Sequence, residues 1–194
     1  MALAAQPISP PLLTFEAYLV EGEITGHYEI IEGERRFMPG PTWRHQRITG
    51  NLVELLRRYE KESRRGLALC APFDVLIRRL PLQVRQPDVL FISHSRLMAQ
   101  GGIPDAGVLE TAPELVVEIV SDSDTRRVLE AKIADYTAVG VAECWIVHPD
   151  AETVAVLRCS PSAVEETCVF RSGETVISPA FPDLVAAVTD VFAR

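Results

Sequence analysis

Hydrophobic residues recur at helical spacing through residues 42–63. Ile48, Leu52, Leu55, Leu56 and Tyr59 share one face there, which predicts a long amphipathic helix. His45 stands three residues before Ile48 and extends that face toward the helix start. A site residue and a hydrogen-bonded, half-buried histidine both fit its position. A second stripe, Leu129, Ile133 and Tyr136, predicts a helix over 125–139. Asp122, Ser123, Asp124 and Thr125 precede it as capping residues, and Gly140 ends it. Short helices are predicted at 14–20, near 95–100, and from Asp183 to residue 192.

Apolar runs without helical spacing predict strands at 27–31, 34–38, 66–70, 73–77, 84–92, 113–121, 141–147, 153–159, 164–170 and 174–178. The first two flank Glu32-Gly33 and read as a hairpin. The strand, helix and strand over 113–147 predict a parallel crossover. The whole order predicts a mixed α/β sheet with flanking helices and a C-terminal strand meander. Residues 1–13 read as a flexible tail, 14–194 as one domain, and Gly101-Gly102-Ile103-Pro104 as a flap.

Against this pattern, two acids stand in apolar positions. In the 113–121 strand, Val116, Glu118 and Val120 alternate with Leu115, Val117 and Ile119, and both faces are apolar. A carboxylate among valines must be paired, protonated, metal-bound or close enough to the strand end to reach water. In the 84–92 strand, Asp88 shares a face with Val84, Leu90 and Ile92; Pro87 before it suggests an edge, a bulge or a turn. Lys132 flanks the stripe of the following helix. An antiparallel return brings it back to the level of Glu118, since strand and helix each cover roughly 10 Å at ~3.3 Å and ~1.5 Å per residue. A lysine with its head in water fits that position equally. Brought together, two carboxylates can hold Mg²⁺ or Mn²⁺, and a lysine can stabilise charge on a phosphodiester.

Charge and cysteines narrow the setting. The 194 residues carry a net charge of −8, which argues against broad nucleic-acid binding. The charge is uneven: residues 1–100 hold 13 Lys and Arg against 11 Asp and Glu, whereas 101–194 hold 6 against 16. Arg35, Arg36, Arg44, Arg47, Arg57, Arg58, Arg64 and Arg65 cluster in the first half, as a solvated helix face or a partner surface. Cys70, Cys144, Cys159 and Cys168 form no CxxC or zinc spacing. No run reaches the ~20 apolar residues of a membrane span, and the start lacks signal-peptide character. These features predict a cytoplasmic protein with no membrane partner and no organic cofactor.

The chain resembles the PD-(D/E)xK nuclease superfamily, and within it a bacterial family of restriction-endonuclease-like proteins. The likeness is carried by Tyr28-Glu29-Ile30-Ile31-Glu32-Gly33-Glu34, by His45 with its helix, by Gln86-Pro87-Asp88-Val89-Leu90-Phe91, by the 113–121 strand, by Lys132 with Tyr136, and by residues 140–147. It implies a restriction-endonuclease-like fold, Asp88 and Glu118 as metal ligands, and Lys132 as catalytic lysine. His45 and Tyr136 are accessory candidates, as is Glu32, the acid expected on the early segment. The superfamily's usual lysine position holds Val120, which moves the role to the helix. The chain departs from the family pattern at Ser121-Asp122-Ser123, Val128 and His148-Pro149.

The function implied is metal-dependent endonucleolytic hydrolysis of DNA, by a homodimer if both strands of a duplex are cut. One alternative is a non-catalytic DNA- or protein-binding regulatory member of the same fold. Another is a different metal-dependent phosphoesterase with a small substrate.

Overall fold

The computed structural model describes residues 11–194 except 23, 104–107, 122–123 and 161–162. Residues 1–10 of the expected tail, Pro104 of the expected flap, and Asp122 and Ser123 of the expected capping cluster lie outside the described residues.

Three sheets form. The largest has the order β11(Ala163–Arg171), β10(Thr153–Ser160), β9(Glu143–His148), β8(Leu115–Ile119), β6(Val89–Ser93) and β3(Gly66–Cys70). Its one parallel pair is β8 with β9, joined through α4(Arg126–Val139), and its other pairs are antiparallel. The second sheet has the order β2(Glu34–Phe37), β1(Tyr28–Ile31), β5(Leu82–Arg85), β4(Asp74–Arg79) and β7(Val108–Leu109). A small pair, β12(Thr175–Val176) with β13(Ala186–Ala187), lies near the C-terminus.

In chain order the short α1(Phe15–Val20) precedes the long helix α2(Trp43–Ser63), and the short α3(His94–Ala99) follows it. Helix α2 buries Ile48, Leu52, Leu55, Leu56 and Tyr59, the five residues that its spacing picks out. They pack on Val89 and Phe91 of β6 and on Leu115, Val117 and Ile119 of β8. The opposite face of these strands carries Leu90, Ile92 and Val116, which cluster with Tyr136 of α4 and with Val75 and Leu109 of the second sheet. Apolar burial on both faces of one sheet stabilises it at roughly 25 cal/mol per Å². Gly66 marks how closely β3 approaches β6: a Cβ there would stand 2.1 Å from the Ile92 carbonyl oxygen.

Two expectations are corrected. The run 84–92 is not one strand. Pro87 cannot donate to a ladder, and the chain leaves the second sheet after Arg85, bends at Asp88, and enters the largest sheet at Val89. Gln86 pins this crossing: its Nε2 donates to buried Asp74 at 2.6 Å, and its Oε1 accepts from the Tyr28 N–H at 3.4 Å. The C-terminal helix is also shorter than expected. Residues 186–187 pair with β12, so α5 covers only Val188–Val191, and Asp183 pairs with Arg65 at 3.3 Å instead of capping it.

Candidate active site

Asp88, Glu118 and Lys132 come together at the floor of a cleft of about 350 Å³. The break at Pro87 delivers Asp88, the central strand β8 delivers Glu118, and α4 delivers Lys132. Each is almost fully buried, at 7%, 4% and 5% exposure. Lys132 and Tyr136 are the buried residues of α4, one turn apart. The lysine therefore lies on the inward face of the helix, not beside it.

Both carboxylates are held by neighbours. Asp88 Oδ2 accepts the Ile119 backbone N–H at 2.7 Å, and Oδ1 faces His45 Nε2 at 3.3 Å. Glu118 Oε2 accepts from Lys132 Nζ at 2.8 Å, and Oε1 accepts from the Tyr136 hydroxyl at 2.5 Å. His45 enters from the first turn of α2, where Thr42 caps its N–H at 3.2 Å. Its hydrogen bond to Asp88 raises its pKa, against the opposing pull of burial.

Burial dominates the electrostatics of Glu118. It pushes the carboxyl from 4.5 up to about 7; Lys132 pulls it down and Asp88 pushes it further up. For Lys132, burial works against the charge, but Glu118 and Glu29 outweigh it and hold the ammonium protonated. The folded protein thus binds a proton at Glu118 more tightly than the unfolded chain does. Its contribution to stability is present below about pH 4.5 and is lost as pH rises toward 7. We expect the stability of wild type relative to Glu118→Gln to fall over that window. Parallel urea titrations of both proteins, without added metal, check it; a flat difference would contradict the assignment.

Three charged residues that the sequence reading passed over complete the arrangement. Arg85 of β5 pairs with Glu29 Oε2 at 2.5 Å and with Asp135 Oδ2 at 2.7 Å. Gln83 Nε2 also donates to Asp135 Oδ2, at 2.5 Å. Glu29 Oε1 is buried without a hydrogen bond and lies 3.6 Å from Lys132 Nζ. Glu32, the early acid named from the resemblance, is elsewhere: it sits at the hairpin turn with φ 53°, exposed and paired with Arg78. Glu29 is the early acid beside Lys132. In the sequence its same-face neighbours are His27 and Ile31, so Tyr28-Glu29-Ile30 reads as ordinary strand alternation with the acid outward, and its burial has no local signature.

The donor set suits a hard cation. The groups facing the cleft from Asp88 and Glu118 are carboxylate oxygens. Among the described residues no group of three or more His, Cys, Asp or Glu forms a metal cage.

A family model described as "Uma2: Putative restriction endonuclease" matches residues 14–189. Among solved structures, the chain is similar to one described as a putative nuclease belonging to DUF820, from Anabaena variabilis ATCC 29413. The identity is 24% and the TM-score 0.75, over 93% of this chain and 98% of that one. This likeness shows the restriction-endonuclease-like fold expected from the sequence. No curated protein matches.

Proposed function

The chain belongs to the Uma2 family, within the PD-(D/E)xK restriction-endonuclease-like superfamily, and from that premise we propose that it is a divalent-metal-dependent endonuclease hydrolysing DNA phosphodiester bonds. One observation carries the reading. Two acids from separate elements line one cleft, Asp88 held by the Ile119 N–H and His45, and Glu118 held by the Tyr136 hydroxyl and by a charged lysine.

Asp88 and Glu118 are the residues that would hold Mg²⁺ or Mn²⁺. When bound there, the cation supplies an activated water and neutralises charge on the phosphate. The chain's own groups prepare that site. The Ile119 N–H and His45 hold Asp88 so that its carboxylate faces the cleft. Tyr136 fixes the rotation of Glu118 from below. Lys132, kept charged by Glu118 and Glu29, presents N–H donors that can follow a phosphate oxygen as its negative charge grows.

The test is cleavage of supercoiled and single-stranded DNA with Mg²⁺ or Mn²⁺, for wild type, Asp88→Ala and Glu118→Gln. We expect wild type to cut, EDTA to stop it, and both variants to fall to the EDTA level. Cutting that survives in both variants would refute the site. Cation binding by wild type without cutting would favour the non-catalytic reading.

A further inference from the structure

Beside the cleft lies a second hollow of about 350 Å³, and Arg44 lines both. The hollow is walled by Trp43, Arg47, Phe192 and Glu152 as well. Trp43 opens α2, yet its indole is 75% exposed and takes no part in the core. Phe37, at the end of β2, is 63% exposed. Between these two aromatics run residues 38–42, all of which line the cleft. The rim of the cleft thus carries an unburied aromatic at each end of one short segment.

The chemistry of the hollow selects an occupant. An exposed indole offers a flat face on which any nucleobase stacks. Arg44 is already engaged, donating to Asp150 at 2.9 Å and to the Pro149 carbonyl at 2.5 Å, so it serves as a fixed partition between the two spaces. Among the described residues Arg47 has no carboxylate partner and donates to the Ala193 carbonyl at 3.5 Å. It is the group placed to meet a phosphate. Glu152, 3.8 Å from Arg44, places on the same wall a carboxylate that can accept from the amino group of a base. Stacking, phosphate and amino-group partners in one hollow match a nucleotide whose base is not paired.

We propose that this hollow receives one unpaired nucleotide of the strand whose backbone lies in the neighbouring cleft. The preferred substrate is then single-stranded DNA, or duplex DNA opened beside the cut. This rests on the nuclease reading. It names the substrate class that the intact cleft would take.

The protein carries its own reporter. It has two tryptophans, and the other, Trp145, is fully buried and donates to Glu143 at 2.7 Å. Quenching by an added oligonucleotide therefore reads Trp43. Full-length Asp88→Ala protein, which cannot cut under the proposed mechanism, would be titrated with a short mixed-sequence single strand and with the matching blunt duplex. We expect the single strand to quench the emission. In the same background, Trp43→Ala should weaken single-strand binding about 10-fold by anisotropy of a labelled strand, while Trp43→Phe retains most of it. Arg47→Gln should lower the slope of log affinity against log salt by about 0.7. Duplex affinity should change little in any of these variants. Single-strand affinity unchanged in Trp43→Ala, or an equal loss for the duplex, overturns the proposal and leaves the nuclease reading standing. If the Asp88→Ala protein with Trp43 intact does not bind the single strand, the proposal falls, and cleavage by wild type decides the nuclease reading separately.

Discussion

Lys132→Met is expected to lower metal-dependent DNA cleavage about 10²- to 10³-fold, the usual cost of removing one donor from a developing negative charge. The substitution keeps the length and apolar stem of the side chain and removes the ammonium. Cation uptake should survive at pH 8, because Asp88 and Glu118 are untouched and a nearby positive charge has gone. That split separates a lysine that acts on the substrate from one that only supports the acids. Stability should respond to pH as well. Without Lys132, Glu118 loses the 2.8 Å partner that pulls its carboxyl down, so its pKa rises above the present value of about 7. Below that range the carboxyl neutralises itself by taking a proton, and little stability is lost. Above it, a buried carboxylate stands without its cation, and the loss grows with pH. Urea titrations at pH 6 and pH 9 would show it. Full cleavage by Lys132→Met would remove the lysine from the mechanism.

Arg85→Met is expected to cost about 3–5 kcal/mol of stability, the range for breaking a buried ion pair from one side. Arg85 and Glu29 have side chains only 6% and 5% exposed, and Asp135 is 20% exposed. Removing the guanidinium leaves Glu29 with Lys132 at 3.6 Å as its remaining charged neighbour, and Asp135 with the neutral Gln83 amide. The double variant Arg85→Met with Glu29→Gln should recover part of the loss, since one of the stranded charges is then gone. Urea midpoints of the three proteins check both statements. A loss below about 1 kcal/mol would mean that water reaches the pair and that it behaves as a surface bridge.

Much of this architecture was legible in the chain. The face of α2 was readable because five apolar residues repeat at one spacing and nothing competes with it. The two faces of β8 were readable for the matching reason in a strand, and the acid among them stood out. Glu32 misled because a turn residue and a strand residue three positions apart both fit an early acid. Only the pairing of β1 with β5, which sets Ile30 opposite Val84, shows that Glu29 lies next to Arg85. The division of 84–92 between two sheets was hidden because alternation continues across the break. Pro87 gave the signal, but a proline marks an edge and a crossing alike. The Arg85 and Asp135 pairing has no local signature, since it links a strand to a helix 50 residues away.

The order of assembly along the chain has a consequence for synthesis in the cell. Asp88 sits where the polypeptide passes from one sheet to the other, and Glu118 lies on a strand whose parallel neighbour is not made until residues 143–148. A ribosome must therefore translate past both acids and the lysine before β9 can close the wall beside them. Until then the strand that carries Glu118 lacks its parallel neighbour, and the groups of the proposed site are not yet held in one fixed geometry. Only a chain made past residue 148 can therefore carry the whole arrangement proposed to act on DNA.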